Sequence, residues 1–114
     1  MLIINKEDFE KEKKEGVTVV VFTADWIEES KRLYEKMMEE LEGFNCKVRE
    51  VDVSITPSIM DEEKVYMIPT VKVFINGETV LVQEGTTGNL TVDVEHVRRA
   101  MKESMKKRNI PLRS

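Results

Sequence analysis

The stretch VTVVVFTADWIEES, residues 17–30, decides the fold. It opens with residues 17–22, a run of β-branched and aromatic side chains without polar alternation, which is typical of a strand buried on both faces. Asp25 follows as a candidate N-cap, with Glu28 as the acidic partner of a capping box. The stretch therefore predicts a central strand that leads directly into a helix.

The segments on either side predict an alternation of helices and strands. Upstream, Asn5 is a good N-cap for a helix over residues 6–14. Downstream, Val48, Val51 and Val53 predict a second strand, and Thr56-Pro57 predicts the start of a helix. Asn76-Gly77 predicts a hairpin between strands 71–75 and 79–83, and Thr91 is a candidate cap for a last helix. We expect an α/β fold with a central mixed sheet of about four strands, flanked by helices on both faces.

Two of the predicted helices carry apolar residues at three- and four-residue spacing, which predicts their buried faces. Gly43 and Pro111 are the signals that end these two segments. The stripes consist of Leu33, Tyr34, Met37, Met38 and Leu41 in one helix and of Val94, Val97, Met101 and Met105 in the other.

Length and composition predict one soluble domain over residues 1–114, with residues 106–114 as a basic C-terminal tail. The net charge of −4 argues against a nucleic-acid partner, and no apolar run reaches the ~20 residues of a membrane span. The N-terminal residues lack the pattern of a signal peptide, so we expect a cytoplasmic protein. Nothing in the sequence predicts an oligomeric state.

The ordered landmarks of the chain resemble the thioredoxin family over residues 5–105. The landmarks are Trp26 after the central strand, the strand end and helix start at residues 53–57, Ile68-Pro69-Thr70, the hairpin at residues 74–78, and Gly85. The resemblance implies a thioredoxin-like fold in which Pro69 follows a cis peptide bond.

The chain departs from this family at the motif that carries its chemistry. Where the family has Trp-Cys-x-x-Cys, residues 26–30 read WIEES, so Ile27 and Ser30 occupy the two cysteine positions. Thiol–disulfide exchange needs a thiolate to attack sulfur and a second thiol to release the mixed disulfide. The only cysteine, Cys46, lies elsewhere in the sequence. The resemblance therefore implies a member without dithiol activity, and no cofactor is expected.

The neighbours of the motif depart in the same direction. Glu28 and Glu29 place carboxylates where a helix N-terminus would otherwise stabilise a thiolate. Val21 aligns with the buried aspartate that assists proton transfer in thioredoxins. Three separate losses indicate that the site no longer serves redox chemistry.

The resemblance also implies a surface formed by Trp26, Ile27, Met67, Ile68 and Pro69. In thioredoxins this surface receives an extended peptide, whose backbone pairs with the residue before the cis-proline. Such pairing needs no sulfur. The alternative is that these residues are retained only because they shape the fold.

We therefore expect a non-catalytic, thioredoxin-like protein-interaction or adaptor domain whose partner includes an extended peptide segment. One alternative is a glutathione-associated or single-thiol enzyme that uses Ser30 or Cys46; another is a structural, dimerising subunit. Against the first alternative, Ser30 is expected to satisfy backbone groups at the helix terminus, and Cys46 to be a small buried apolar residue. His96 is the only histidine, so no metal site is expected.

Overall fold

The computed structural model describes residues 1–113. Strands and helices alternate along the chain up to the hairpin that precedes the last helix. In chain order the elements are β1 (Leu2–Ile3), α1 (Lys6–Lys14), β2 (Val17–Thr23), α2 (Glu28–Glu40), β3 (Lys47–Asp52), α3 (Pro57–Glu62), β4 (Thr70–Ile75), β5 (Glu78–Glu84) and α4 (Leu90–Lys107). Asn5 caps α1 as predicted, since its side chain accepts a hydrogen bond from the Asp8 amide.

The strands form one mixed sheet in the order β1-β3-β2-β4-β5. The central β2 runs parallel to β3 and antiparallel to β4, and β4 and β5 form the predicted hairpin. The sheet has five strands where about four were expected, because Leu2 and Ile3 pair in parallel with Glu50 and Val51 and add a short edge strand. A strand of two residues is too short to show a periodic pattern in the sequence.

Every residue of β2 is buried, because alternate side chains enter different cores on the two faces of the sheet. Val19 and Val21 pack in the core covered by α2 and α4. Val20 and Phe22 pack in the core that holds Phe9 of α1 and a buried residue of α3. The prediction of helices on both faces is therefore confirmed.

The predicted stripes of α2 and α4 face the core, with one exception. Leu33 and Met37 of α2 are fully buried, as are Val97 and Met101 of α4. Met38 is 40% exposed, so its assignment to the core was wrong. It follows Met37 by one position, and one step along a helix turns the side chain by about 100° toward solvent.

Two helices begin at other residues than the sequence predicts. The N-cap of α4 is Asn89 rather than Thr91, and its side chain accepts a hydrogen bond from the Val92 amide at 3.1 Å. The N-cap of α2 is Ile27 rather than Asp25, and it makes no side-chain cap. Asparagine is among the best caps, which explains the first shift; the second follows from the turn described below.

The basic segment after α4 folds back onto the body of the protein. Ile110 and Leu112 pack against the core, and the Leu112 carbonyl accepts a hydrogen bond from the Asn45 amide at 2.8 Å. The guanidinium of Arg113 lies 4.4 Å from the centre of the Phe44 ring. The segment expected as a tail is thus held in place through Arg113, and Ser114 lies outside the described residues.

Candidate functional site

A tight turn follows β2 and presents Trp26 to solvent. The buried Ala24 pairs with Ile27 across the turn, where the Ile27 amide donates to the Ala24 carbonyl at 3.0 Å. This pairing places Asp25 and Trp26 at the tip, and the Trp26 side chain is 71% exposed. A large aromatic ring so exposed is available for contact with another molecule.

Ser30 holds this turn from inside the first turn of α2. Its buried hydroxyl oxygen accepts from the Ala24 amide at 3.1 Å, and the hydroxyl donates to the Ile27 carbonyl at 2.6 Å. A hydroxyl has a single proton to donate, so its donor capacity is used within the turn. The interpretation that Ser30 satisfies backbone groups at the helix terminus is confirmed. Ser30 does not replace Asp25 as a helix cap, because it accepts from the Ala24 amide and not from an amide of the helix. We call residues 24–27, which Ser30 holds, the motif turn.

The second part of the site is the loop that enters β4. The Ile68–Pro69 peptide bond is cis. The Gly85 amide donates to the Pro69 carbonyl at 2.7 Å, and the Thr70 hydroxyl donates to the Met67 carbonyl at 2.5 Å. Within residues 1–113, the Ile68 amide and carbonyl have no backbone partner, since β4 begins only at Thr70. Ile68 therefore offers one unpaired donor and one unpaired acceptor.

The turn and the loop lie at the same end of the paired strands β2 and β4, where Phe22 pairs with Thr70. Ile27 and Ile68 are both half-buried and pack against the same core cluster. Met67 is 51% exposed, and its sulfur lies 2.7 Å from the position that a Cβ on Gly85 would take. Met67 therefore lies across Gly85, beside the buried Pro69. We call Trp26, Ile27, Met67, Ile68 and Pro69 the motif surface.

A partly buried ion cluster close to the motif was missed by the sequence analysis. The Lys31 ammonium of α2 lies 2.7 Å from a Glu50 carboxylate oxygen and 2.6 Å from one of Asp52, both on β3. The Thr23 hydroxyl also donates to Glu50, at 2.6 Å. The two acids alternate with apolar residues along β3, so the sequence predicts that they share one side of the strand. It does not predict that Lys31 is their partner.

Hydrogen bonds within the ion cluster favour the charged forms of Lys31 and Asp52. Burial disfavours the charged form of Asp52, but hydrogen bonds from Lys31 and Ser54 outweigh it and hold the pKa of Asp52 below its usual range. Burial likewise opposes the Lys31 charge, yet both carboxylates raise the pKa of Lys31. Val21, next to Glu50 in the sheet register, is fully buried and apolar.

A second feature that the sequence analysis missed positions the loop after β5. Asp93 of α4 is buried, and it accepts hydrogen bonds from the Thr87 amide at 3.0 Å and from the hydroxyls of Thr86 and Thr87. Burial alone would raise the pKa of Asp93, but these bonds outweigh it and lower the pKa. Because Thr86 follows Gly85, the buried carboxylate fixes the loop after β5, over which the Met67 side chain packs.

Cys46 is far from the motif surface. It directly precedes β3, whose start pairs with the start of β2, whereas the motif follows the other end of β2. Six strand residues at ~3.3 Å each separate the two by about 20 Å. Cys46 packs against the core, and burial raises the pKa of its thiol to about 11. Cys46 was predicted to be a small buried apolar residue; it does pack against the core, but it is only partly buried.

Two other classes of site are not found within residues 1–113. No group of three His, Cys, Asp or Glu side chains in that range is placed to hold a metal ion. His96 instead hydrogen-bonds Gln83 through its Nδ1 atom. None of the helices in the same range is long and apolar enough to cross a membrane.

Comparisons with known proteins agree with this geometry. The family model described as thioredoxin matches residues 1–99. Thioredoxin from Trypanosoma brucei brucei shares 22% identity at a TM-score of 0.76, covering 93% of this chain and 90% of that chain. Thioredoxin from Plasmodium falciparum shares 22% identity at a TM-score of 0.72, covering 86% of this chain and 96% of that chain. A designed protein shares 22% identity at a TM-score of 0.78, covering 91% of this chain and 90% of that chain. Comparison with curated proteins finds no match.

The sheet order, the turn at Trp26 and the cis bond before Pro69 define a thioredoxin-fold domain with Ile27 and Ser30 at the dithiol positions. With the family model matching most of its length, the chain belongs to the thioredoxin family. The solved structures, at this identity, show the fold alone. Since the chain has one cysteine, it cannot close a disulfide within itself, and a dithiol cycle has no second thiol to use.

Proposed function

We propose that this domain is a non-catalytic interaction module that binds an extended segment of a protein partner on the motif surface. The observation that carries the proposal is the backbone of Ile68, whose amide and carbonyl have no backbone partner within residues 1–113. An extended peptide can pair with such groups as an added strand would.

The side chains around Ile68 support the same proposal. Trp26 and Met67 are exposed, while Ile27 and Ile68 each show part of an apolar side chain. Exposed apolar side chains gathered at one place are typical of an interaction site. Backbone pairing would supply the affinity of the complex, and contacts with these side chains would supply its specificity.

The proposed binding uses no sulfur chemistry. Cys46 lies about 20 Å away along β3, and its raised pKa leaves the thiol protonated at neutral pH. The Ser30 hydroxyl is occupied within the turn, so it is not free to orient a bound thiol. The alternative of a glutathione-associated or single-thiol enzyme therefore has no specific observation in its favour.

Selection from a library of random short peptides tests the proposal. The library is panned under full reduction against the wild type and against Trp26→Ala/Met67→Asp, whose altered side chains are both exposed. Val82→Asp is the control, because Val82 is 47% exposed, close to the 51% of Met67, and it pairs with Lys72 of β4 rather than with the loop that enters this strand.

We expect families of peptides that are enriched on the wild type and on Val82→Asp and lost on the double variant. Bound peptides should shift the Ile68 amide resonance, because that amide becomes a hydrogen-bond donor to the peptide. Enrichment that survives Trp26→Ala/Met67→Asp would place binding elsewhere and would overturn the proposal.

A further inference from the structure

We propose that the segment bound at the motif surface carries lysine or arginine next to its apolar anchor. This inference rests on the proposed function and adds the chemistry of the partner. It follows from the charges that border the motif surface on two sides, at the start of α2 and at the end of β5.

The start of α2 places carboxylates directly beside the apolar residues. Glu28 and Glu29 follow Ile27 in the chain, so the Cα atom of Glu28 lies about 3.8 Å from that of Ile27. Asp25 precedes Trp26 and is exposed. The exposed Asp25 and Glu28 are therefore direct chain neighbours of Trp26 and Ile27, and the half-buried Glu29 is one residue further.

The end of β5 adds a further carboxylate on the opposite side of the loop. Glu84 is exposed, pairs in register with Thr70, and precedes Gly85, whose amide bonds the Pro69 carbonyl. Lys64, just after α3, is an exposed cation three residues before Met67 in the chain. The acidic character thus belongs to the half of the motif surface formed by α2 and β5.

The local cations do not cancel this negative charge. Lys31 is committed to Glu50 and Asp52, which together exceed its single charge, and it reaches Asp25 only at 3.7 Å. Arg32 bonds Glu28 at 2.8 Å, but both side chains are mostly exposed. Such a pair is weak, so a partner cation can replace Arg32 at little cost.

Charge complementarity therefore selects a basic partner segment over a neutral or acidic one. Opposite charges at the rim of an interface accelerate encounter and exclude partners of like charge. The effect is screened by salt, because the rim carboxylates are exposed. An acidic segment of the same apolar pattern would meet several carboxylates at once.

The test uses the peptides recovered by panning a random library on the wild-type protein under reduction. The most enriched sequence is synthesised as found, with its lysine and arginine residues replaced by glutamine, and with them replaced by glutamate. Each peptide is titrated against the wild type, Glu28→Gln/Glu29→Gln, and the control Glu39→Gln/Glu42→Gln. The control changes exposed acids of the same chain segment at the far end of α2.

We expect the enriched peptides to be basic and the glutamine form to bind about fivefold to tenfold more weakly than the original. Glu28→Gln/Glu29→Gln should remove most of that difference, and Glu39→Gln/Glu42→Gln should keep it. Neutral or acidic peptides that still depend on Trp26 and Met67 would overturn this inference and leave the proposed function standing. Peptides that do not depend on Trp26 and Met67 would overturn both.

Discussion

Ser30 shows how a single residue maintains the motif turn without sulfur. It lies in the first turn of α2, fully buried, with its hydroxyl shared between the Ala24 amide and the Ile27 carbonyl. The capping box uses the same geometry, in which a side chain at the third helical position reaches back to backbone groups before the helix. At this position, which the resemblance aligns with the family's second cysteine, the Ser30 side chain has a structural role.

Replacing Ser30 by alanine should therefore destabilise the protein. The change leaves the buried Ala24 amide without its partner, which costs about 1–3 kcal/mol. Urea unfolding followed by circular dichroism measures the loss. Ser58→Ala on the exposed face of α3 is the control and should change the free energy of unfolding by less than about 0.5 kcal/mol. Equal stability of both variants would show that the Ser30 hydroxyl does not hold the turn.

Cys46 should be a slow nucleophile, because burial raises the pKa of its thiol to about 11. At pH 7 the thiolate fraction is then about two orders of magnitude below that of an unperturbed cysteine. Alkylation by iodoacetamide should be slower by a similar factor in the native protein than in the same chain unfolded in urea. Its rate should rise as the pH approaches 11. Similar alkylation rates in the folded and unfolded chains would contradict this prediction and would support the alternative of a single-thiol enzyme.

At the scale of elements, the ion cluster joins α2 to β3. Lys31 on the helix faces Glu50 and Asp52 on the strand, and the motif turn joins β2, the neighbour of β3, to the start of that helix. Removing one partner of such a group leaves charge buried without compensation. The cluster therefore fixes α2 against the sheet close to the motif surface.

Lys31→Met should lower the free energy of unfolding by about 2 kcal/mol at neutral pH, since its side chain remains partly exposed. The lowered pKa of Asp52 means that its contribution is complete above its unfolded pKa and is lost as the pH falls through the folded value. The difference between wild type and variant should therefore shrink below about pH 4.

Urea unfolding at neutral and acidic pH measures this difference. Lys36→Met is a close control, because the Lys36 side chain is 30% exposed against 31% for Lys31, yet it meets only Glu40 at 3.5 Å. The control should cost less than about 1 kcal/mol, with no comparable pH dependence. If Lys31→Met lowers the free energy of unfolding no more than Lys36→Met does, the ion cluster does not stabilise the fold.

The whole molecule shows which features a single sequence reveals. Residues 17–22 predicted the buried central strand, and Asn76-Gly77 predicted the hairpin, because both signals are local and strong. The strand at Leu2–Ile3 was missed, since it exists only through its pairing with β3. Elements defined by their own residues were predictable, and those defined by a distant partner were not.

The candidate site follows the same rule. The positions of Ile27 and Ser30 could be assigned from the resemblance to the family, and the role of Ser30 agrees with the structure. The contacts of Lys31 could not be predicted, because its partners lie about twenty residues away on β3. Those of Asp93 are with two threonines that lie six and seven residues earlier, but the loop between them has no periodic pattern to show that they meet. Lys31 and Asp93 fix the elements on either side of the motif surface.

The central claim is that the motif surface binds an extended segment without any thiol. Its most direct test is a titration of the Cys46→Ala variant with a peptide enriched on the wild type, followed by NMR in the presence of dithiothreitol. The account predicts saturable shifts of the Ile68 amide and of the Trp26 indole, with the same affinity as the wild type. Binding that is lost with Cys46, or that saturates without moving Ile68 or Trp26, would contradict it.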